Sequence, residues 1–136
     1  MKTDVVIVGC GVAGLFCALQ IPEDKKIVIL TKASAEECDS FLAQGGICVL
    51  KDEADYDSYF EDTMRAGHYE NRKESVDLML RDSRTIIDEL IAFGVDFQRD
   101  EDGNLMFTRE GGHSTARILF HEDETGKEIT SRLLAQ

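Results

Sequence analysis

Three glycines near the start of the sequence have the spacing of a nucleotide-binding loop. Gly9, Gly11 and Gly14 form a GxGxxG pattern. In such a loop the first glycine permits a tight turn, the second lets a pyrophosphate approach the backbone, and the third lets the next helix pack closely. The N-terminus of that helix presents free N–H groups to the diphosphate. The pattern predicts a dinucleotide site formed by Gly9, Cys10, Gly11, Val12, Ala13 and Gly14.

A cation stands where the pattern usually has an acid. About twenty residues after such a loop, a carboxylate commonly binds the adenosine ribose, whereas this sequence has Thr31 and Lys32. Lys32 would suit the 2′-phosphate of NADP, or it is a solvated loop lysine. The glycine pattern alone therefore leaves FAD, NAD and NADP open, as well as a turn with a purely structural role.

The segments around the loop predict a β-α-β unit. Two short apolar runs rich in β-branched residues, 5–8 and 27–30, are typical of parallel strands that are buried on both faces. A helix is predicted between them over 13–20. Residues 31–46 are expected to form a long loop. This arrangement indicates an α/β fold with a parallel sheet and flanking helices.

Further helices and short strands are predicted in the rest of the chain. Asp55 is expected to cap one helix, and Gly94 suits the C-terminal end of another. Asp102 and Gly103 form a hairpin signal. The predicted elements are a strand over 47–50, helices over 55–66 and 74–93, a hairpin joining 95–97 to 105–107, a strand over 118–120 and a helix over 127–134.

The composition disfavours several classes of partner. The net charge is −12, which disfavours nucleic acid and anionic membrane surfaces, because both are bound by clustered Lys and Arg. Apolar runs fall far short of the roughly 20 residues of a membrane helix. The four cysteines lack the spacing of zinc ligands, so no metal site is expected. We interpret them as reduced thiols of a cytoplasmic protein, with a disulfide pair as the alternative.

Three further segments carry a resemblance to a known family. Residues 39–47 resemble a family segment that ends in A-Q-G-G-I and wraps the flavin, residues 108–114, followed by Arg117, resemble a T-R-E-G-G-H-S stretch, and residues 123–126 resemble a D-x-T-G. Taken alone, these are a Gly-Gly turn, a charged solvated loop and a helix-capping signal. With the glycine pattern, their order and spacing resemble L-aspartate oxidases of the succinate dehydrogenase/fumarate reductase flavoprotein family.

The resemblance implies a Rossmann-like FAD-binding domain of the GR2 type, of which residues 1–136 are the N-terminal part. The rest of that domain, a capping domain and a C-terminal helical domain would lie elsewhere, as would the arginine proton donor, beyond Gln136. Glu110 is expected to bind substrate, facing its ammonium group. The resemblance adds these cofactor-binding residues: Lys32, Asp39, Ser40, Phe41, Leu42, Ala43, Gln44, Gly45 and Gly46.

The activity that the resemblance implies is oxidation of L-aspartate to iminoaspartate, with electrons passed to O₂ or fumarate, in NAD biosynthesis. The resemblance also implies a functional link to quinolinate synthase. The FAD is expected to be non-covalent, because Asp39 replaces the attachment His of related flavoproteins. Two departures from L-aspartate oxidases bear on the flavin contacts. Asp39 stands where these oxidases usually have Ser, and Phe120 stands where they often have His, with His121 one place later. The alternatives are a fumarate reductase or succinate dehydrogenase flavoprotein and a non-catalytic NAD(P)-binding module.

Overall fold

The computed structural model describes residues 2–136. This part of the chain contains four short strands and five α-helices. The strands are β1 (Val5–Val8), β2 (Ile27–Leu30), β3 (Ile47–Cys48) and β4 (Ile118–Leu119). The α-helices are α1 (Val12–Leu19), α2 (Asp39–Leu42), α3 (Tyr56–Ala66), α4 (Lys73–Ala92) and α5 (Thr125–Leu134). None of the helices in residues 2–136 is long and apolar enough to cross a membrane.

The predicted β-α-β unit is confirmed. Strands β1 and β2 pair in parallel, with Val5 opposite Ile27 and Val8 opposite Leu30. Helix α1 connects the two strands by way of the glycine loop and begins one residue before the predicted boundary. The fold is therefore α/β with a parallel sheet and flanking helices.

The expectation that both faces of this sheet are buried is wrong. The exposed fractions of Val6, Val8 and Leu30 are 51%, 84% and 52%. These side chains lie on a face that no element within residues 2–136 covers. The apolar runs therefore have the composition of a doubly covered sheet, but only one face is covered by the part of the chain described here.

A second, antiparallel pair of strands holds the later segments together. Ile47 of β3 lies opposite Leu119 of β4, and both strands are shorter than predicted because regular pairing ends after two residues. The predicted hairpin reduces to an isolated bridge between Arg99 and Leu105. Its turn is present, since Gly103 has a φ of +84°, but the expected flanking strands are not formed.

Residues 31–46 are more ordered than the predicted long loop. They contain a 3₁₀ turn over Ala35–Glu37 and helix α2. The side chain of Ser34 accepts a hydrogen bond of 3.2 Å from the backbone N–H of Glu36. Serine commonly caps helices in this way, so Ser34 was a start signal that the prediction overlooked.

The main core lies between the β-α-β unit and helices α4 and α5. Helix α4 matches its prediction to within one residue at each end, and Gly94 follows it with a φ of +90° as expected of a C-terminal cap. Helix α5 begins at Thr125, two residues earlier than predicted. The buried residues of this core are Leu15, Val49, Ile87, Leu90, Val95, Phe97, Leu119, Ile129 and Leu133.

Candidate functional site

A pocket of about 440 Å³ opens where strands β1 and β2 end. It brings together residues that lie far apart in the sequence: the start of the glycine loop, the segment after β2, and the first residues of α2. Ligands of open parallel sheets commonly bind at this edge. The pocket is lined by Val8, Gly9, Cys10, Gly11, Leu30, Thr31, Lys32, Ala33, Ser34, Glu37, Cys38, Asp39 and Ser40.

Two glycines of the loop, Gly11 and Gly14, stand where a side chain would meet a close neighbour. A β-carbon at Gly14 would lie 2.3 Å from the carbonyl oxygen of Gly9, so only glycine allows α1 to approach the strand. A β-carbon at Gly11 would lie 2.9 Å from the hydroxyl oxygen of Ser40. That hydroxyl accepts a 3.1 Å hydrogen bond from the N–H of Val12, at the first turn of α1. The loop therefore presents bare backbone and a hydroxyl to the pocket.

One wall of the pocket was not anticipated from the sequence. The Cys10 thiol donates to the Thr31 hydroxyl at 3.1 Å, and that hydroxyl donates to the carbonyl oxygen of Ala33 at 2.8 Å. These bonds fix the segment after β2 against the glycine loop. Ser34, which caps the 3₁₀ turn in the segment predicted to be loop, also lines the pocket.

The charged side chains of this pocket have both signs. Lys32 is its one cation, and Glu37 and Asp39 contribute carboxylates. In the described part of the chain no group of three or more His, Cys, Asp or Glu side chains is placed to hold a metal ion. The arrangement suits a ligand with both an anionic group and hydroxyl donors.

The remaining predicted cofactor residues lie outside this pocket. Phe41, Leu42, Ala43 and Gln44 line a smaller cavity of about 190 Å³ beside the start of α5. Gly126 of α5 contacts this segment: its N–H donates a hydrogen bond to the carbonyl oxygen of Ala43 at 2.9 Å. A β-carbon at Gly126 would lie 2.0 Å from the carbonyl oxygen of Ser40. The D-x-T-G segment therefore places a glycine where α5 meets α2.

Glu110 is exposed and lies beside the A-Q-G-G segment. A β-carbon built on Gly45 would lie 3.4 Å from Oε2 of Glu110. A β-carbon at Gly46 would lie 2.2 Å from the carbonyl oxygen of Leu119, so this second glycine lets β3 approach β4. The structure thus places two of the three segments that carried the resemblance, those of Gly45 and Glu110, next to each other.

Asp55 stands at the N-cap position of α3, as predicted, but its side chain makes no capping hydrogen bond and instead pairs with Arg117. Arg117 is fully buried, and its side chain pairs with Asp55 at 2.8 Å and with Asp62 at 2.7 Å. All five guanidinium N–H groups donate: two to Asp55, one to Asp62, one to Ser58 at 2.8 Å and one to His113 at 3.1 Å. We call these five residues the Arg117 cluster.

The contacts of Arg117 fix the tautomer of His113. A guanidinium has no acceptor, so Nδ1 of His113 must accept from Arg117. The ring proton then sits on Nε2, which lies 3.3 Å from the Cys48 sulfur and donates to it. Burial raises the pKa of the Cys48 thiol, so this group stays protonated at neutral pH. The Arg117 cluster therefore connects directly to β3.

The carboxylates of the cluster are charged. Burial alone would raise the pKa of Asp62, but hydrogen bonds from the Ser114 backbone and from Arg117 outweigh it and lower that pKa. The hydrogen bond from Arg117 likewise lowers the pKa of Asp55. The paired carboxylates raise the pKa of Arg117 in turn. The buried Arg117 thus pairs with both acids, and the exposed Arg65 pairs with Asp62 as well.

A largely apolar cavity of about 500 Å³ adjoins the cluster. It lies between α3, α4 and the backbone of Gly111 and Gly112, and the rings of Tyr59 and His113 form part of its wall. Met79 of α4 lies at the rim of this cavity, and its exposed fraction is 49%.

The sequence profile of the family described as "FAD binding domain" matches residues 4–136. The L-aspartate oxidase of Clostridium acetobutylicum is 48% identical over 133 residues, which are 98% of this chain and 31% of that protein. The chloroplastic L-aspartate oxidase of Oryza sativa is 41% identical over 132 residues, 96% of this chain and 20% of that protein. The expected resemblance is confirmed, and the chain spans less than a third of the length of these relatives.

Solved structures agree with the sequence relatives. The fumarate reductase chain FrdA of the E. coli quinol enzyme superposes with a TM-score of 0.91 at 27% identity, covering 99% of this chain and 24% of that one. Mycobacterium smegmatis Sdh1 superposes with a TM-score of 0.88 at 29% identity, covering 98% of this chain and 23% of that one. The glycine pattern left NAD(P) open, and these findings decide against it. The chain belongs to the FAD-binding domain family, and its cofactor is FAD.

Proposed function

We propose that this chain is the N-terminal part of the FAD-binding domain of a flavoenzyme that oxidises L-aspartate to iminoaspartate. The observation that carries the proposal is the position of Glu110, whose carboxylate lies against Gly45 of the A-Q-G-G segment. A carboxylate at this place gives the site a partner for an ammonium group. The 48% identity to an L-aspartate oxidase supports the same choice.

The pocket of about 440 Å³ at the ends of β1 and β2, here called the dinucleotide pocket, suits part of FAD. The glycine loop leaves room for a diphosphate, and the N-terminus of α1 offers it N–H groups. Lys32 would contribute a positive charge, and Glu37 offers the carboxylate acceptor for ribose hydroxyls that is missing directly after β2. Asp39 and Ser40 would complete the wall. When bound, FAD accepts a hydride from the substrate.

Glu110 would distinguish L-aspartate from a plain dicarboxylate. L-Aspartate carries an α-ammonium group that succinate lacks, and a charge-assisted hydrogen bond to Glu110 would bind and orient it. The space beside Glu110 is open to a ligand, because a β-carbon built on Gly111 has no neighbour within 4 Å.

The variant Glu110→Gln tests this role in the full-length protein. It should lower kcat/KM for L-aspartate about ten- to a hundredfold, which corresponds to one lost charge-assisted hydrogen bond. Fumarate reduction should be spared, because it involves no ammonium group. Glu101→Gln, an exposed acid in the turn before Gly103, is the matched control. Equal losses with both substrates would show that Glu110 only supports the site's structure.

We further propose that the FAD is held non-covalently. The attachment His of related flavoproteins is replaced by Asp39, and a carboxylate cannot form that linkage. Acid precipitation of the FAD-loaded protein should leave the flavin in the supernatant. Flavin fluorescence that stays with the washed protein pellet would contradict the proposal.

A second candidate function is succinate oxidation or fumarate reduction. The superposition on the E. coli quinol fumarate reductase chain, with a TM-score of 0.91, favours it. The two candidates are separated by anaerobic mixing of the full-length FAD-loaded protein with each substrate. Bleaching of the flavin absorption band by L-aspartate but not by succinate supports the first candidate, and the reverse supports the second.

The wider role belongs to the same proposal. Electrons would pass from the cofactor to O₂ or to fumarate, and iminoaspartate would feed quinolinate synthase in NAD biosynthesis, in the cytoplasm. The length of the curated relatives supports further segments that would complete the FAD domain and cap the substrate.

A further inference from the structure

The segment 110–116, here called the glycine-rich loop, is exposed in its first half, and most of its hydrogen bonds to the rest of the chain are in its second half. Its base is closed by two backbone hydrogen bonds between Thr108 and Ile118, of 2.9 Å and 3.1 Å. Beyond the base, residues 109–112 are exposed, and Gly112 has a φ of +89°. Burial therefore does not hold the first half of the loop, and its path depends on what fixes the second half.

Asp62 of α3 fixes that second half. Its Oδ2 accepts three hydrogen bonds of 2.7 Å, from the backbone N–H of Ser114, the Ser114 hydroxyl and Nη1 of Arg117. Its Oδ1 accepts a further bond of 2.7 Å from Arg65. A carboxylate that is 4% exposed thus binds the loop backbone and the buried cation at the same time.

The other partner of this arrangement is the strand that follows the A-Q-G-G segment. His113, in the loop, bonds to Arg117 through Nδ1 and to Cys48 of β3 through Nε2. Gly45 and Gly46 precede β3 directly. The Arg117 cluster therefore ties the loop to the strand, and so sets the separation between Glu110 and Gly45.

We propose that Asp62 and Arg117 are positioning residues that act on L-aspartate through Glu110. Neither side chain reaches the substrate in this proposal, which rests on the proposed function. Asp62 and Arg117 hold the glycine-rich loop on the path that keeps the Glu110 carboxylate beside the A-Q-G-G segment. When that hold is lost, Glu110 is still present but no longer meets the ammonium group.

A double-mutant cycle in the full-length FAD-loaded protein tests the proposal. Asp62→Ala should lower kcat/KM for L-aspartate about tenfold, while FAD content stays equal to wild type and fumarate reduction changes by less than about twofold. In the Glu110→Gln background the same change should cost less than about twofold, because the interaction that Asp62 positions is already gone. Asp82→Ala, an exposed acid on α4, should match wild type.

Asp62→Asn keeps the result decisive if Asp62→Ala does not retain FAD. Its amide oxygen can still face Ser114 and Arg117, so the variant should fold and show the same coupling to Glu110 at a smaller size. Losses that multiply with those of Glu110→Gln, or that are equal for both reactions, overturn the role of Asp62 and leave the proposed function intact. A wild-type protein that does not oxidise L-aspartate contradicts the proposed function itself.

Discussion

The dinucleotide pocket and the Arg117 cluster handle charge in opposite ways. The pocket is open, and it is shaped by backbone and by the missing side chains of Gly11 and Gly14. The cluster is closed: Arg117 is 0% exposed, and each of its donors meets an acceptor within the protein. The pocket presents backbone donors for a ligand, whereas the cluster has already used every donor that it has.

This difference determines what each region tolerates. The pocket depends on shape, so an added methyl group is damaging even though it changes no charge. The cluster depends on matched charges, so a removed charge is damaging even where the volume is conserved. Variants that change only volume or only charge therefore separate the two.

The largest effect is expected from Gly14→Val. The first atom of the new side chain would lie 2.3 Å from the carbonyl oxygen of Gly9, which forces α1 away from the strand. FAD binding by the full-length protein should be abolished, as measured by the flavin-to-protein absorbance ratio after purification. Gly111→Ala, where a β-carbon meets open space, is the control for FAD content. Normal FAD content in Gly14→Val would contradict the close packing.

Arg117→Met tests the charge matching of the cluster at nearly constant volume. It leaves Asp55 buried without its cation and Asp62 paired only with the exposed Arg65, which should cost about 3–5 kcal/mol in the free energy of unfolding. Arg81→Met removes an exposed partner of Asp77 and should cost at most about 1 kcal/mol. Urea unfolding of both variants measures the difference, and similar losses would mean that Arg117 does not carry a buried charge balance.

The cluster also predicts how stability depends on pH. The pKa values of Asp55 and Asp62 are lowered in the folded state, so the folded protein binds fewer protons than the unfolded chain in the acidic range. The stability that these groups contribute is therefore complete above the ordinary Asp pKa of about 4 and is lost as the pH falls below it. Acid unfolding of Asp62→Asn, followed by circular dichroism, should show a shallower loss. An unchanged pH profile would contradict these shifts.

The smallest effect is expected at Lys32, in the open pocket. Lys32→Ala should weaken FAD binding about two- to fivefold at low salt, since exposed charges contribute little, and the difference should fade at high salt. Lys25→Ala, on the turn before β2, should have no effect on FAD affinity. Fluorescence titration of the deflavinated protein measures both, and a salt-independent loss would argue against an electrostatic role.

The same contrast explains what could be predicted from sequence. The glycine loop was predictable because its three glycines lie close together in the sequence and Gly14 packs against Gly9. The contact of Gly11 with Ser40, far along the chain, gave no such signal. Helix α4 was predictable because its apolar spacing repeats over many turns. The short strands β3 and β4 were predicted too long, since two-residue pairing carries little periodic signal.

The Arg117 cluster could not be predicted. Arg117 bonds to Asp55 and Asp62 across 62 and 55 residues of sequence, and a charged residue gives no sign of its own burial. Asp55 was therefore interpreted as a helix cap, whereas it is Asp52 whose carboxylate accepts from the backbone N–H of Asp55 at 3.1 Å. In the sequence alone, either Asp52 or Asp55 could cap a helix, and only the folded chain shows which carboxylate does so.

The contact between Gly126 and the segment of Ser40 has a consequence for the synthesis of the chain, because Ser40 lines the FAD pocket. A ribosome releases the glycine loop and Lys32 first, because domains grow from their amino terminus. Ser40, on the opposite wall, belongs to a segment that rests on Gly126 of α5, and the whole of α3 and α4 is made in between. We therefore expect a nascent chain to acquire its cofactor late, only after α5 has emerged to support that wall.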